Sequence, residues 1–324
     1  MLKCLTAAIV IAIGVTSVTS AQSEQILKIG YLLPENSQLG AGAKAFAEEV
    51  ANRTKGKYRI EQYPSGALGG EVEMIKGVQA GQIDVAFITS APFSNLIPEF
   101  GIFDIPFIFR DAAHACAVLD GPMGQNYLSR ISAKDVVALA WGENGMRHLT
   151  NSKHPVKDPK DLDGLKLRVP QSNIMVEAFL SLGAKAEPLA FPALYSALET
   201  GKYDAQENPI ATIVSARFEK VQKYLTLSGH IYSWAVFIMS KDAYDDLRPE
   251  EKEAFTEAAR IGGVASRKFA REAERKGVET LRAAGMQITA VIDREAFVAA
   301  LKPAHAKFAQ SFGAQQIERI RNSQ

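Results

Sequence analysis

The feature that most constrains this chain is a repeated alternation of strand-like and helix-like segments. Ile26 to Leu33 is rich in strand formers and precedes Ala41 to Arg53, where apolar residues recur at helical spacing. The order continues with Tyr58 to Tyr63, Glu71 to Gln79 and Ile83 to Ile88. Strands and helices that alternate in this way predict a largely parallel sheet with helices on its faces.

A second series of such segments predicts a second lobe. Val136 to Trp141 and Leu165 to Val169 have strand character, and a helix-like segment from Asn173 to Leu182 ends at Gly183. A longer strand is predicted for Ile231 to Met239. We therefore predict an α/β protein of two lobes, with lobe I formed by 22–144 and completed by about 231–270, and lobe II formed by 145–230 and completed by about 271–324.

The longest helical pattern runs from Pro249 to Ala284. Pro249 suits the first turn, Glu250 and Glu251 favour the positive end of the helix dipole, and Gly285 can end the helix. Uninterrupted, this helix is about 50 Å long, which exceeds one small domain. Two alternatives follow: a single helix that spans both lobes, which we favour, or two helices separated at Gly262-Gly263.

The first 21 residues predict a secretory signal peptide. Lys3 supplies a positive charge, and Leu5 to Val15 is an uncharged apolar run that is too short to cross a bilayer. Thr19 and Ala21 fit the small-residue cleavage pattern, so we expect an exported mature chain that begins near Gln22. The alternative is an uncleaved membrane anchor.

The charge of the chain is nearly balanced, with 37 Lys and Arg residues against 36 Asp and Glu residues. No basic block stands alone, so nucleic acid and anionic membranes are not expected partners. Cleavage of the signal peptide leaves Cys116 as the only cysteine, which excludes an internal disulfide. No later apolar run reaches the roughly 20 residues of a membrane span, so we expect a soluble mature chain. We also expect it to be a monomer.

Sequence motifs for phosphate-binding loops, zinc proteases and serine hydrolases are absent. The five histidines show no ligand spacing with carboxylates, so we predict neither a metal site nor another cofactor. Without a nucleophile–base pair, we expect no enzymatic activity. The enzymatic alternative is a lyase that acts on a sugar acid with His148 as its general base.

Charged and amide residues lie beside the ends of predicted strands. Arg168 is at the carboxyl end of a strand, where ligands of open α/β sheets bind. A planar guanidinium can hold a carboxylate through two parallel hydrogen bonds. Arg147 lies where the second lobe begins, and Asn208 follows a short strand. Spacing alone leaves a structural role open for all three, as surface arginines and a turn amide.

Several segments together resemble the solute-binding subunit of tripartite ATP-independent periplasmic (TRAP) transporters. They are Gly164-Leu-Lys-Leu-Arg-Val-Pro170, Ala190-Phe-Pro-Ala-Leu-Tyr-Ser-Ala-Leu198, Gln206-Glu-Asn-Pro209, Tyr63-Pro-Ser-Gly-Ala-Leu-Gly-Gly-Glu71 and Gly81-Gln-Ile-Asp84, in an order that covers nearly the whole mature chain. The resemblance implies a periplasmic two-lobed clamshell with crossover strands as hinge and a long helix bracing both lobes. It implies that the lobes close over a carboxylate-bearing solute and then dock on a membrane permease.

The resemblance also implies roles for individual residues. Arg168 is expected to clamp the ligand carboxylate, Arg147 to approach the ligand, and Asn208 to contact the carboxylate region. Phe191 matches an aromatic residue packed beside the clamp. Glu71 and Thr89 occupy first-lobe positions that face the polar end of the ligand in sialic-acid-binding relatives.

Two positions depart from the sialic-acid-binding relatives, which carry an acid at Thr89 and a polar residue at Trp234. We expect Trp234 to line the cleft, where a flat aromatic suits the C–H face of a sugar ring. A hexuronate is therefore the expected ligand, with a C4-dicarboxylate as the alternative. A sensory receptor that presents the same solute to a signalling protein fits the sequence as well.

Overall fold

The computed structural model describes residues 24–132 and 135–323. The predicted signal peptide and its cleavage site therefore lie outside the described residues. Within the described ranges, no helix combines the length and the hydropathy that a membrane span requires.

Nine strands of the described chain form one mixed sheet in the order β2-β1-β3-β8-β4-β7-β5-β6, with β9 beside β8. The first three strands pair in parallel, as their alternation with helices predicts, and β5 is parallel to both β6 and β7. The strands are β1 (Gln25–Tyr31), β2 (Tyr58–Tyr63), β3 (Val85–Thr89), β4 (Val136–Asn151), β5 (Lys166–Val169), β6 (Lys185–Pro188), β7 (Ala205–Pro209), β8 (Tyr224–Ser240) and β9 (Gln287–Thr289).

Helices pack around this sheet. In the described ranges, the α-helices are α1 (Gln38–Arg53), α2 (Glu71–Gln79), α3 (Ser90–Leu96), α4 (Ala112–Asp120), α5 (Pro122–Ile131), α6 (Asn173–Ser181), α7 (Leu194–Glu199), α8 (Ile210–Ser215), α9 (Lys241–Asp245), α10 (Pro249–Ala283), α11 (Arg294–Ala300), α12 (Lys302–Phe312) and α13 (Ala314–Arg321). Short 3₁₀ helices include Pro98–Asp104, Pro159–Leu162, Phe191–Ala193 and Phe218–Lys220. We call the elements around β2, β1 and β3 the first lobe and those around β7, β5 and β6 the second lobe.

Two long antiparallel strands connect the lobes. The second half of β8 pairs with β3 in the first lobe, whereas the second half of β4 pairs with β7 in the second lobe. The register between β4 and β8 shifts between Glu143 and Gly145 and again between Arg147 and Leu149. Gly145 has a φ of 128°, which a residue with a side chain rarely adopts. The predicted boundary at 144/145 coincides with these irregularities, although the domain limits remain a prediction.

Helix α10 runs unbroken through Gly262-Gly263, so the alternative of two separate helices is wrong. It packs against α1 of the first lobe and α8 of the second lobe, and it crosses β4. A Cβ atom on Gly263 would lie 2.0 Å from the carbonyl oxygen of Trp141. The glycine pair therefore lets the helix approach the crossover strand closely instead of interrupting the helix.

The C-terminal helices contact both lobes, and the completion of lobe II by about 271–324 remains a prediction. Helix α12 packs on α6 of the second lobe and on the 3₁₀ helix Pro98–Asp104 of the first. At the end of α13, Arg110 donates hydrogen bonds to the carbonyl oxygens of Arg321 and Ser323. Apolar side chains of α11 to α13 continue the large core, because Phe297, Phe308 and Ile320 are buried in it.

Candidate ligand-binding site

A narrow cavity lies between the lobes, and its volume of about 20 Å³ has room for little more than one water molecule. Its first-lobe wall consists of Leu32, Leu33, Glu71 and Thr89. The crossover strand β4 supplies Asn144 and Arg147, and the second lobe supplies Arg168, Pro170, Phe191, Asn208 and Thr212. The structure thus brings together six of the seven residues that were predicted from the sequence to bind the ligand. Their contact with a ligand remains a prediction.

Arg168 reaches the cavity from the end of β5. Its side chain is 2% exposed, and its Nε and Nη2 atoms both donate to the carbonyl oxygen of Leu189, at 2.8 and 2.6 Å. The guanidinium lies 5.9 Å from the centre of the Phe191 ring. No carboxylate of the described residues forms an ion pair with it, and burial lowers its pKa to about 9. A buried, unpaired cation of this kind is the signature of a site for an anion.

Arg147 is in the opposite electrostatic situation, because Glu207 neutralises it. Arg147 Nε donates to Oε2 of Glu207 at 2.5 Å, and Nη2 donates to Oε1 at 2.7 Å. His230 Nε2 also lies 3.1 Å from Oε2 of Glu207. Burial alone would raise the pKa of Glu207, but Arg147 and His230 hold it below its ordinary value.

Asn208 is held in one orientation by its neighbours. Its Oδ1 accepts a hydrogen bond from Arg147 Nη2 at 3.3 Å, and its Nδ2 donates to Gln206 Oε1 at 2.6 Å. An amide nitrogen carries two protons, so one N–H of Asn208 remains for the cavity. Asn208 and Arg168 of the second lobe and Arg147 of the crossover strand β4 therefore present hydrogen-bond donors on one side of the cavity.

The first-lobe wall presents an acceptor instead. Glu71 lies at the start of α2 and receives hydrogen bonds from the Thr89 backbone N–H at 2.6 Å and from the Thr89 hydroxyl at 2.9 Å. Burial raises the pKa of Glu71, and the two bonds from Thr89 oppose this rise. Each carboxylate oxygen keeps a lone pair for a further donor. Glu71 therefore both fixes Thr89 and offers acceptor sites to a ligand.

Trp234 is not at the site, so the expectation that it lines the cleft is wrong. It has no exposed surface and packs in the core against three aromatic rings, those of Phe93, Phe100 and Trp141. Alternating residues of β8 point to opposite faces of the sheet, and Trp234 falls on the face covered by α3 and the 3₁₀ helix after it. It cannot stack on a sugar in this conformation.

His148, the proposed base of the enzymatic alternative, also lies outside the cavity wall. Its Nε2 is 2.7 Å from Oε1 of Glu274 on α10, and its Nδ1 accepts a hydrogen bond from the Gly229 backbone N–H. Both ring nitrogens are thus engaged in joining β4 to α10 and β8. Among residues of the described ranges, no group of three or more His, Cys, Asp or Glu side chains is placed to hold a metal ion.

Sequence reasoning missed three polar residues of the site. Asn144 and Thr212 line the cavity, and Glu207 sets the charge of Arg147. Glu207 adjoins Asn208 in the segment that carries the resemblance, so an acidic residue in a predicted strand was an available signal. Nothing local distinguishes Asn144 or Thr212 from turn and helix residues.

Two lobes that share crossover strands, with an unpaired guanidinium in the cleft between them, define a binding protein for an anionic solute. The family described as "Bacterial extracellular solute-binding protein, family 7" matches residues 29–311. This match covers most of the chain, and the chain belongs to that family. The protein is thus a TRAP periplasmic solute-binding protein, from a family of binding proteins that are not enzymes and that work with TRAP membrane permeases.

Individual relatives agree with this assignment. A TRAP periplasmic solute-binding protein from Polaromonas sp. JS666, solved with D-erythronate, shares 44% identity, with 93% of this chain and 99% of that chain covered and a TM-score of 0.92. The sugar acid-binding protein DctPAm from Advenella mimigardefordensis, in complex with galactonate, shares 35% identity over 93% and 97% of the two chains, with a TM-score of 0.89. The 2,3-diketo-L-gulonate-binding periplasmic protein YiaO of Escherichia coli K12 is 38% identical over 93% of this chain and 92% of its own.

Proposed function

We propose that this protein captures a sugar acid with a single carboxylate, and that an open-chain acid fits better than a hexuronate. The observation that carries the proposal is Arg168, a buried guanidinium with no carboxylate partner among the described residues. A ligand carboxylate supplies the missing charge through two parallel hydrogen bonds. We assign Asn208 and Arg147 to the same end of the ligand, because both present donors beside Arg168.

The charge balance of the cavity favours one carboxylate over two. Arg147 is already neutralised by Glu207, so Arg168 is the unpaired cation of the cavity wall. The opposite wall offers Glu71 and no cation. A second ligand carboxylate beside Glu71 would meet a like charge or force protonation of one of the two acids. This argument disfavours a C4-dicarboxylate.

The same wall suits a polyhydroxylated chain. Ligand hydroxyls can donate to the carboxylate of Glu71, and hydrogen bonds to a charged group are stronger than those between neutral groups. Leu32 and Leu33 supply apolar contact for the carbon chain between the two polar ends. The cavity therefore has a cationic end for a carboxylate and an acceptor end for hydroxyls.

Two observations favour an open-chain acid. Trp234 offers no aromatic face for a pyranose ring, because it is fully buried. Of the solved relatives at 35–44% identity, two hold erythronate and galactonate, which are open-chain sugar acids, and a third has density assigned to pantoate, an open-chain acid with one carboxylate. A hexuronate is the second candidate, because family structures at 26–29% identity hold glucuronate.

Calorimetric titration tests this proposal with D-erythronate, galactonate, glucuronate and succinate. We expect the tightest binding with one of the two open-chain acids, weaker binding with glucuronate and the weakest with succinate. Tight succinate binding without a signal from any sugar acid would refute the proposal. Tighter binding of glucuronate than of both open-chain acids would restore the hexuronate.

We further propose that the chain is exported with cleavage near Ala21 and acts as a monomer without a nucleic-acid partner. The apolar N-terminal segment and the balanced charge support these statements. Mass spectrometry of the secreted protein tests the cleavage position, and light scattering tests the monomer. A mature mass that includes Leu5 to Val15 would contradict cleavage.

A further inference from the structure

Gln38 occupies a position between the two lobes that the ligand-binding argument does not use. It is the first residue of α1, which packs on β1 and β2 of the first lobe, and its side chain has no exposed surface. Its Nε2 atom donates to Asn144 Oδ1 at 2.6 Å, to the Asn144 carbonyl oxygen at 3.0 Å and to Thr212 Oγ1 at 2.9 Å. One amide of the first lobe is therefore bonded to the crossover strand and to the second lobe.

The partners of Gln38 are wall residues of the cavity. Asn144 and Thr212 both line it, and Thr212 Oγ1 also lies 3.4 Å from Asn144 Oδ1. On its other side, Asn144 Nδ2 donates to Ser233 Oγ at 3.2 Å, and Ser233 Oγ lies 3.3 Å from Ser90 Oγ. Each contact is buried, so water does not compete for it in this conformation.

The bond between Gln38 and Thr212 requires that the two lobes lie together, as they do in this structure. Gln38 Oε1 is buried and has no hydrogen-bond partner among the described residues, which costs free energy. The bonds that Nε2 donates to Asn144 and Thr212 offset this cost. Thr212 belongs to α8, which follows β7 of the second lobe, so its hydroxyl moves with that lobe. Separation of the lobes would break the bond from Gln38 to Thr212 and admit water to both groups.

We propose that Gln38 is a positioning residue that latches the two lobes together behind the ligand. The inference rests on the proposed binding function, because the latch acts on closure of the same cavity. Gln38 acts through Asn144 and Thr212, whose side chains it orients, and it makes no contact with the solute itself. It stabilises the closed, liganded form and has little influence on the first encounter with the solute.

The test measures association and dissociation rates by stopped-flow with D-erythronate, or with galactonate if galactonate binds more tightly. We expect Gln38→Leu to dissociate about tenfold faster with an association rate within about twofold of the wild type. Gln38→Glu keeps the shape of the side chain and lacks the N–H donors, so we expect the same change in the dissociation rate. This variant replaces Gln38→Leu in the test if the leucine variant does not fold. Unchanged dissociation in both variants overturns the proposal.

A double-mutant cycle separates the latch from direct ligand contact. Thr212→Val should accelerate dissociation in the wild-type background and much less in the Gln38→Leu background, because the shared bond is already lost. The matched control is Thr226→Val, since Thr226 is equally buried and its hydroxyl donates to Val156 within the second lobe. Additive effects of Gln38→Leu and Thr212→Val would refute the latch.

Failure of the latch and failure of the proposed function give different results. If the wild type gives no heat with any of the four acids, the proposed function fails. Hydrogen–deuterium exchange of the free protein then carries the test, because the latch predicts faster amide exchange in α8 for Gln38→Leu than for Thr226→Val. Equal exchange in the two variants overturns the latch on its own.

Discussion

Replacing each cavity arginine by methionine should change the stability of the free protein in opposite directions. Methionine keeps much of the aliphatic stem and removes the charge. Arg168 is buried without a carboxylate partner among the described residues, whereas Arg147 is buried in a bidentate pair with Glu207. The Arg168→Met variant therefore loses a desolvated charge, and the Arg147→Met variant leaves the Glu207 charge buried and unpaired.

The magnitudes follow from burial and pairing. Burial lowers the pKa of Arg168 from its ordinary value to about 9, and at about 1.36 kcal/mol per pH unit this corresponds to about 5 kcal/mol of lost solvation. Loss of the bonds to Leu189 costs about 1–3 kcal/mol, so Arg168→Met should raise the free energy of unfolding by about 2–4 kcal/mol. Arg147→Met should lower it by about 3–5 kcal/mol, the usual cost of breaking a buried ion pair.

Urea denaturation of the ligand-free variants measures these changes, and calorimetry measures binding. Arg168→Met should bind the sugar acid more than a hundredfold more weakly, because about 3–5 kcal/mol of carboxylate interaction is lost. Arg168→Lys should also fail, because an ammonium group cannot reproduce the planar fork. If Arg168→Met destabilised the free protein as strongly as Arg147→Met, Arg168 would be a structural residue.

Three further predictions concern pH, motion and packing. Burial raises the pKa of Asp104 from 3.8 to about 7, so the folded protein binds more protons than the unfolded chain across this range. Asp104 alone should therefore lower the free energy of unfolding by up to about 1.4 kcal/mol per unit of rising pH, and Asp104→Asn should remove this contribution in urea titrations. Small-angle scattering should show a smaller radius of gyration with ligand than without, and an unchanged profile would contradict closure. Gly263→Ala should lower the free energy of unfolding, measured by thermal denaturation, by about 3 kcal/mol or more, because the added Cβ meets the Trp141 carbonyl. The control Val264→Ala, at a half-exposed site, should stay within about 0.5 kcal/mol of the wild type.

The parallel strands and the long helix were predictable because their signals are local. Apolar periodicity and end signals identify α10, and the strand–helix alternation determines how β1, β2 and β3 pair. The crossover strands were predicted too short, since β4 extends to Asn151 and β8 begins at Tyr224. The middle of β4 carries Glu143, Asn144 and Arg147, which interrupt the apolar pattern. Asn144 and Arg147 line the cavity, whereas Glu143 accepts a hydrogen bond from the Tyr232 hydroxyl.

The site was predictable where a residue's chemistry is visible in its own segment. Arg168 follows from its place at the end of a strand, but its lack of a partner depends on the packing of both lobes. The prediction for Trp234 was wrong because the alternation of side chains along a strand does not show which face of the sheet the ligand occupies. Asn144 and Thr212 were not predicted as site residues, because Gln38, the residue that joins them, is distant from both in the sequence.

The central place of β8 in the sheet also bears on how the chain folds. Thr89 of β3 pairs with Ala235, and Asn151 of β4 pairs with Tyr224. The strands of both lobes therefore need β8, which comes late in the chain, to form the continuous sheet. These pairings give the chain a high contact order, which favours slow folding. Neither half-sheet is complete before Ser240 has been synthesised, and an N-terminal fragment that ends before Tyr224 leaves the edges of β3 and β4 unpaired. Denaturation should therefore remove both lobes in one cooperative transition instead of two.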